Sequence, residues 1–263
     1  MACTVEHRFI VTDAGSFHAK KWTPQNPSSS VPIVLLHDSL GCVDLWRHFP
    51  GTLAESLSLC VIAYDRLGFG RSTPRNELPS IHFIEEEATD YFPSVKMHLN
   101  LGSYILFGHS VGGAMAVNIA ARDEGCVAVI TEASQAFVED RTVAGINAAK
   151  KAFDDPGQMD RLKKWHGSKA EWVLRAWTDT WLSSEFSDWS LDNCMGEVTC
   201  PVLAIHGDND EYGSTAFPEY IAHKAGGISE MTILSNCGHI PHKEKPEEVI
   251  NTIKLFLKKN AVT

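Results

Sequence analysis

The stretch Ser103–Ala121, SYILFGHSVGGAMAVNIAA, constrains the fold of this chain most. Tyr104–Phe107 is a short aromatic and aliphatic run suited to a buried strand. Gly108-His109-Ser110-Val111-Gly112 follows at once. Gly113–Ala121 then alternates small and aliphatic residues, as a buried helix does. A serine at so sharp a strand-to-helix turn has its hydroxyl thrust clear of the backbone. The turn is tight, so the residues two before and two after it must be small. Gly108 and Gly112 meet that demand, and Gly113 lets the helix pack close to the sheet. The pattern G-x-S-x-G is weak by itself, and its strand-before, helix-after setting gives it weight. A glycine-rich connection without chemistry is the competing reading of this stretch taken alone.

The rest of the chain repeats the strand–helix alternation. Val5–Val11 and Ser16–Trp22 alternate around Asp13-Ala14-Gly15, which predicts an antiparallel hairpin. Ile33–Leu36 and Leu59–Tyr64 are continuous apolar runs, as expected of parallel strands covered on both faces. Between them Leu45–Leu57 predicts a helix. Phe83–Leu99 predicts another, with an acidic start and Pro93 disturbing it. Val127–Ile130, Pro201–Ile205 and Met231–Leu234 predict further strands. Phe217–Ala225 and Pro246–Lys258 predict helices, the last with proline near its start and lysines at its end. Residues 134–197 show no apolar strand run; they contain helical stretches with Trp165, Trp172, Trp177, Trp181 and Trp189. The expected architecture is α/β: a mostly parallel, doubly wound sheet with an N-terminal antiparallel hairpin. Residues 1–133 and 198–263 form its core, and 134–197 form an inserted helical lid.

Composition bounds the partners. The chain has 263 residues, 44% of them hydrophobic and 21% charged, which is ordinary globular usage. A net charge of -10 argues against nucleic acid or an anionic membrane surface as partner. No apolar run approaches the ~18 residues that span a bilayer, and the N-terminus does not read as a signal peptide. Seven scattered cysteines without a C-x-x-C pair read as reduced thiols in a cytoplasmic protein. No histidines sit at zinc-finger or H-E-x-x-H spacing, so neither metal nor cofactor is expected. A small-molecule substrate is the expected partner, and self-association is left open.

Serine is a poor nucleophile at neutral pH. It needs a base to take its proton, and the base needs a carboxylate to hold its tautomer. Asp210 lies just past the strand Pro201–Ile205, and His239 just past Met231–Leu234. In a parallel sheet the C-terminal strand ends share one edge, so Ser110, Asp210 and His239 can converge there.

In these blocks the chain resembles the α/β-hydrolase superfamily, in its small, lid-bearing serine esterase and lactonase-like branch. The resemblance runs through LLHDSLG (Leu35–Gly41), YDRLGFGRS (Tyr64–Ser72), GHSVGG (Gly108–Gly113), HGDNDEYG (His206–Gly213) and CGHIPHKEKPEEV (Cys237–Val249), and covers nearly the whole sequence. It implies the chain order Ser, Asp, His for the triad, and an oxyanion hole made by the backbone N–H groups of Val111 and Ser39. The family usually has His-Gly in that loop, where this chain has His37-Asp38. A capping or solvated Asp38 and a functional one both stay open. Glu132 occupies an alternative acid position known in some members, but the family's spacing after Gly207 selects Asp210.

Candidate substrate contacts are Trp46 and His109 beside the motifs and Trp172, Trp177 and Trp181 in the insertion, with packing as the competing reading for each. His37 is expected to shape the oxyanion loop, His242 to be a surface or supporting residue, and Cys237 to be a small buried one. The activity implied is hydrolysis of small esters, lactones or thioesters through an acyl-enzyme. Carbon–carbon bond hydrolysis of ring-cleavage products and a cofactor-free haloperoxidase-like reaction use related machinery. Haloalkane dehalogenases and epoxide hydrolases need aspartate where Ser110 stands. A non-catalytic ligand receptor or scaffold on the same fold is the rival of another class.

Overall fold

A computed structural model describes residues 3–262. The apolar runs become one eight-stranded sheet: β1 (Thr4–Thr12), β2 (Gly15–Thr23), β3 (Ile33–Leu36), β4 (Val61–Tyr64), β5 (Tyr104–His109), β6 (Cys126–Glu132), β7 (Val202–Gly207) and β8 (Ser229–Leu234). Their order is β1-β2-β4-β3-β5-β6-β7-β8. β1 and β2 form the expected antiparallel hairpin, β2 joins β4 antiparallel, and every later pairing is parallel.

The strands β3, β4, β5 and β7 are buried along their whole length, because helices cover both faces. Alternate strand residues feed two cores. Ile33, Leu35, Ile105 and Phe107 pack beneath α1 (Phe49–Leu57) and the C-terminal helix Pro246–Lys259. Val34, Leu36, Tyr104 and Leu106 face the opposite side. There α2 (Phe83–Glu86), α3 (Phe92–His98) and α4 (Val111–Ala120) cover them.

Two predicted helices are broken in ways the local chemistry explains. Leu45–Leu57 is not one helix: a 3₁₀ turn at Val43–Trp46 ends at Arg47, whose φ is 57°, and α1 restarts with Pro50 in its first turn. Phe83–Leu99 divides into α2, a π turn at Glu87–Tyr91, and α3. The wider turn falls just before Pro93, which has no N–H for a regular helix ladder.

Between β6 and β7 the chain forms α5 (Asp140–Ala152), α6 (Pro156–His166) and α7 (Ala170–Trp181). After β7 come α8 (Ala216–Lys224), α9 (Pro241–Glu244) and α10 (Pro246–Lys259). The loops after β3, β5, β6, β7 and β8 all leave the same edge of the sheet, and the site is built there.

Candidate active site

Ser110 sits between β5 and α4 with φ 56° and ψ -128°, a region that non-glycine residues seldom occupy. The turn is held by Ser110 N donating to Glu132 O at 2.8 Å and Gly113 N donating to Ser110 O at 2.8 Å. The flanking glycines follow from close backbone approach. A Cβ at Gly108 would lie 2.1 Å from Gly112 O, and one at Gly112 would lie 2.3 Å from Leu36 O. No side chain fits at either position. The Ser110 hydroxyl donates to Gln135 Oε1 at 3.4 Å.

His239 and Asp210 meet across the ends of β8 and β7. His239 Nδ1 lies 2.9 Å from Asp210 Oδ1 and 2.8 Å from Oδ2. A buried carboxylate accepts there, so Nδ1 carries the proton and Nε2 is left to act as a base. Tyr212 N also donates to Asp210 Oδ1 at 2.8 Å. Burial alone would raise the Asp210 carboxyl. The bond from His239, the charges of His239 and His206, and the Tyr212 N–H together hold it below the usual carboxylate range.

The loop after β3 is shaped by His37 and Arg66. His37 Nδ1 donates to Asp38 O at 2.8 Å, and its Nε2 accepts from Arg66 N at 3.1 Å. Burial, reinforced by the Arg66 guanidinium, lowers His37 to about 3, so the ring stays neutral. Arg66 Nη2 donates to Asp38 O at 2.8 Å. Ser39, next in the loop, lines a cavity of about 260 Å³ together with Ser110, Gln135, His239, Trp177, Trp181 and Tyr212. A second space of about 30 Å³ shares Ser39, Trp177 and Trp181, and adds Val111, Arg66 and Trp172.

The structure therefore brings Ser110, Asp210, His239, Ser39, Val111, Trp177 and Trp181 to one place. Trp172 borders only the smaller space, and its Nε1 donates to Glu77 O at 3.1 Å. Two proposed contacts need correction. Trp46 is 3% exposed and packs against Phe49, Phe107 and His242, so it supports the site from behind. His109 points the same way, between Asp38 and the His239 backbone, and walls no part of the large cavity. His242 is buried on Glu132, its Nδ1 2.5 Å from Glu132 Oε2, and is no surface residue.

Sequence reasoning missed Gln135, Tyr212, Thr142 and Ile146 as cavity residues. Only Gln135 carried a usable signal, lying three residues past the end of β6 beside the turn that holds Ser110. Among the described residues, His109, Glu132 and His242 have ligating atoms within 4.8 Å of one another. Of these, His242 Nδ1 already bonds Glu132 Oε2, and His109 Nε2 bonds the His239 carbonyl.

A mostly parallel α/β sheet with a serine elbow after β5, an aspartate after β7 and a histidine after β8 defines the α/β-hydrolase class. The sequence model of the alpha/beta hydrolase family matches residues 33–252, and the chain belongs to that family. A putative esterase/lipase of Haemophilus influenzae is 27% identical over 93% of this chain and 88% of its own length. A proline iminopeptidase of Lactobacillus crispatus is 23% identical over 88% and 91%. The crystal structure of a proline iminopeptidase from Mycobacterium smegmatis superposes with a TM-score of 0.71 at 22% identity, covering 98% of this chain and 99% of that one. Among the described residues, no helix is long and apolar enough to cross a membrane.

Proposed function

We propose that this chain is a serine hydrolase that cleaves small esters, lactones or thioesters through an acyl-enzyme. The observation carrying this reading is the bond from His239 Nδ1 to both oxygens of buried Asp210, with His239 and Ser110 bordering one cavity. Ser110 Oγ attacks the carbonyl carbon while His239 Nε2 takes its proton. Asp210 holds the ring and balances the imidazolium charge. The Ser39 and Val111 N–H groups receive the developing oxyanion. The intermediate collapses, His239 returns the proton to the leaving oxygen or sulfur, and water repeats the sequence on the acyl-enzyme. The 3.4 Å bond from Ser110 to Gln135 is long, so turning the hydroxyl toward His239 costs little.

Residues 134–197 act as the lid. Thr142 and Ile146 of α5 and Trp177 and Trp181 of α7 wall the cavity, which favours an uncharged acyl or alkyl group there. Seven unpaired cysteines suit a reducing, cytoplasmic setting. The test is labelling by a fluorophosphonate probe, followed by kcat/KM on p-nitrophenyl esters, lactones, thioesters and a prolyl arylamide. Labelling that Ser110→Ala abolishes, with esters or lactones turned over fastest, is the expected result. No labelling of folded protein, or preference for the arylamide, overturns the reading.

A further inference from the structure

Two features that the triad does not explain meet at one histidine. Asp38 stands where the family usually has glycine, and His109 immediately precedes Ser110. His109 is 2% exposed. Its Nε2 lies 2.8 Å from the His239 carbonyl oxygen, which only accepts, so Nε2 carries a proton. Its Nδ1 lies 3.5 Å from Asp38 Oδ2, and a carboxylate accepts as well. A neutral imidazole offers one N–H; an imidazolium offers two, and this ring faces two acceptors.

The surroundings agree. From the loop after β3, Asp38 faces the ring, with neutral His37 beside it and Arg66 bound to Asp38 O. From β6 comes Glu132, engaged by His242 of α9. The His239 and His242 rings lie 5.1 and 5.0 Å away, and Trp46 packs at 6.2 Å. Lys243 acts on Asp38 from α9. Burial works against a charge on His109. The nearby Asp38 carboxylate, with help from Glu132 and the His239 carbonyl, outweighs it and raises the group above the usual histidine range. Asp38 responds in kind: burial would raise its carboxyl, and His109 holds it well below the usual range.

We propose that partly exposed Asp38 and buried His109 form an ion pair that positions both halves of the reaction site. Asp38 fixes the loop that carries the Ser39 N–H. His109 fixes the main chain at His239. His109 walls no part of the large cavity, whereas Asp38 borders it from the oxyanion loop; both are assigned a positioning role, and their effect on turnover rests on the serine-hydrolase reading above. The pair also gives Asp38 a reason to replace glycine: the charge it adds to the oxyanion loop is matched by the elbow residue 71 positions later.

The sign of the pH effect follows. His109 has a raised pKa, so the clamp is complete below that value and is lost as pH rises through it. Removing the Asp38 charge makes the ring give up its proton at lower pH. The first test is independent of catalysis. In the protein labelled with ¹⁵N-histidine, both ring nitrogens of His109, identified by the signals lost in His109→Gln, should stay protonated at about pH 6.5, where an ordinary histidine is half neutral. A singly protonated neutral His109 overturns the ion pair. The second test follows kcat and KM for an ester against pH. Asp38→Asn should move the alkaline limb of kcat to lower pH and cost about 10²-fold there, the order expected of a small misplacement, with KM little changed. His109→Gln, whose amide can donate to the His239 carbonyl without titrating, should flatten that limb. If both folded variants keep the wild-type limb, or lose the same factor at every pH, positioning by charge is wrong. Failure of wild-type protein to turn over any ester refutes the hydrolase reading instead, and the nitrogen signals still decide the ion pair.

Discussion

His242 Nδ1 lies 2.5 Å from Glu132 Oε2, one strand away from the Asp210–His239 pair. This contact separates the two carboxylates that compete for the role of triad acid. Glu132 is fully buried and committed to His242, while Asp210 holds His239. Asp210→Asn should therefore lower kcat by roughly 10⁴-fold, the cost of the wrong histidine tautomer. Glu132→Gln should instead lower stability by about 1–3 kcal/mol, because it weakens a buried bond and leaves His242 poorly paired. Urea unfolding and ester kinetics on both variants check this. A larger kcat loss in Glu132→Gln than in Asp210→Asn reverses the assignment.

The serine elbow stores strain, because Ser110 holds φ at 56° without being glycine. Strain of this kind is worth roughly 1–3 kcal/mol. Ser110→Gly and Ser110→Ala should both lose catalysis by roughly 10⁴–10⁶-fold, by analogy with other triad knockouts. They should differ in stability: the glycine variant relieves the strain and should melt above the alanine variant. Calorimetry on the pair measures it. Equal melting temperatures mean that the surrounding bonds, not the backbone of residue 110, set the stability of the turn.

His37 gives a pH dependence of the same sign as that of the buried Asp210 carboxylate, but in a higher pH window. Its native pKa of about 3 lies below the ~6.5 of an unfolded histidine. Between those values the unfolded chain binds a proton that the native state refuses, so stability falls as pH drops from about 6.5 toward 3. One such group contributes up to about 1.4 kcal/mol per pH unit. His37→Gln can still accept from Arg66 N but does not titrate. Plotting unfolding free energy against pH from 7 to 4.5, the variant should show a shallower slope than wild type. Asp210, held low, adds stability that is present above about pH 4 and lost only below it, outside that window.

What the sequence made legible followed chain-local physics. The all-buried strands β3, β4, β5 and β7 are continuous apolar runs; Ser110 and Asp210 stand just past two of them, and His239 just past the less buried β8. Gly108 and Gly112 announced the tight turn because only glycine fits there. Contacts between loops remote in sequence were not legible. His109 meets the His239 carbonyl across 130 positions, and His242 meets Glu132 across 110. No local pattern reports such pairs, so His242 stayed open between surface and supporting residue, and Asp38 between a solvated or capping role and a functional one. Trp46 stayed open between wall and packing, because an aromatic beside a site motif serves equally as either. It precedes the turn at Arg47, φ 57°, and packs among Phe49, Phe107 and His242.

The tryptophans of α7 should separate substrate choice from folding. Trp177 is half-buried, borders the cavity beside Ser39 and packs edge-on against Tyr212 at 5.7 Å, and Tyr212 in turn packs on His239 at 4.7 Å. Trp181 also borders the cavity, yet it is 3% exposed and sits in a cluster with Phe186 and Trp189 at 5.0 and 5.6 Å. Trp172 borders only the smaller space. Trp177→Ala enlarges the cavity with limited loss of core. It should shift the acyl-length ranking of kcat/KM toward longer chains, by about 1–3 kcal/mol between neighbouring optima. Trp181→Ala removes a core aromatic as well and should cost about 3–5 kcal/mol of stability. Trp172→Ala should leave the ranking unchanged. The measurement is a p-nitrophenyl ester series from acetate to decanoate on all three variants, with melting temperatures alongside. A uniform fall across the series for Trp177→Ala, its ranking kept, would mean that Trp177 only supports His239 through Tyr212 and does not gauge the substrate.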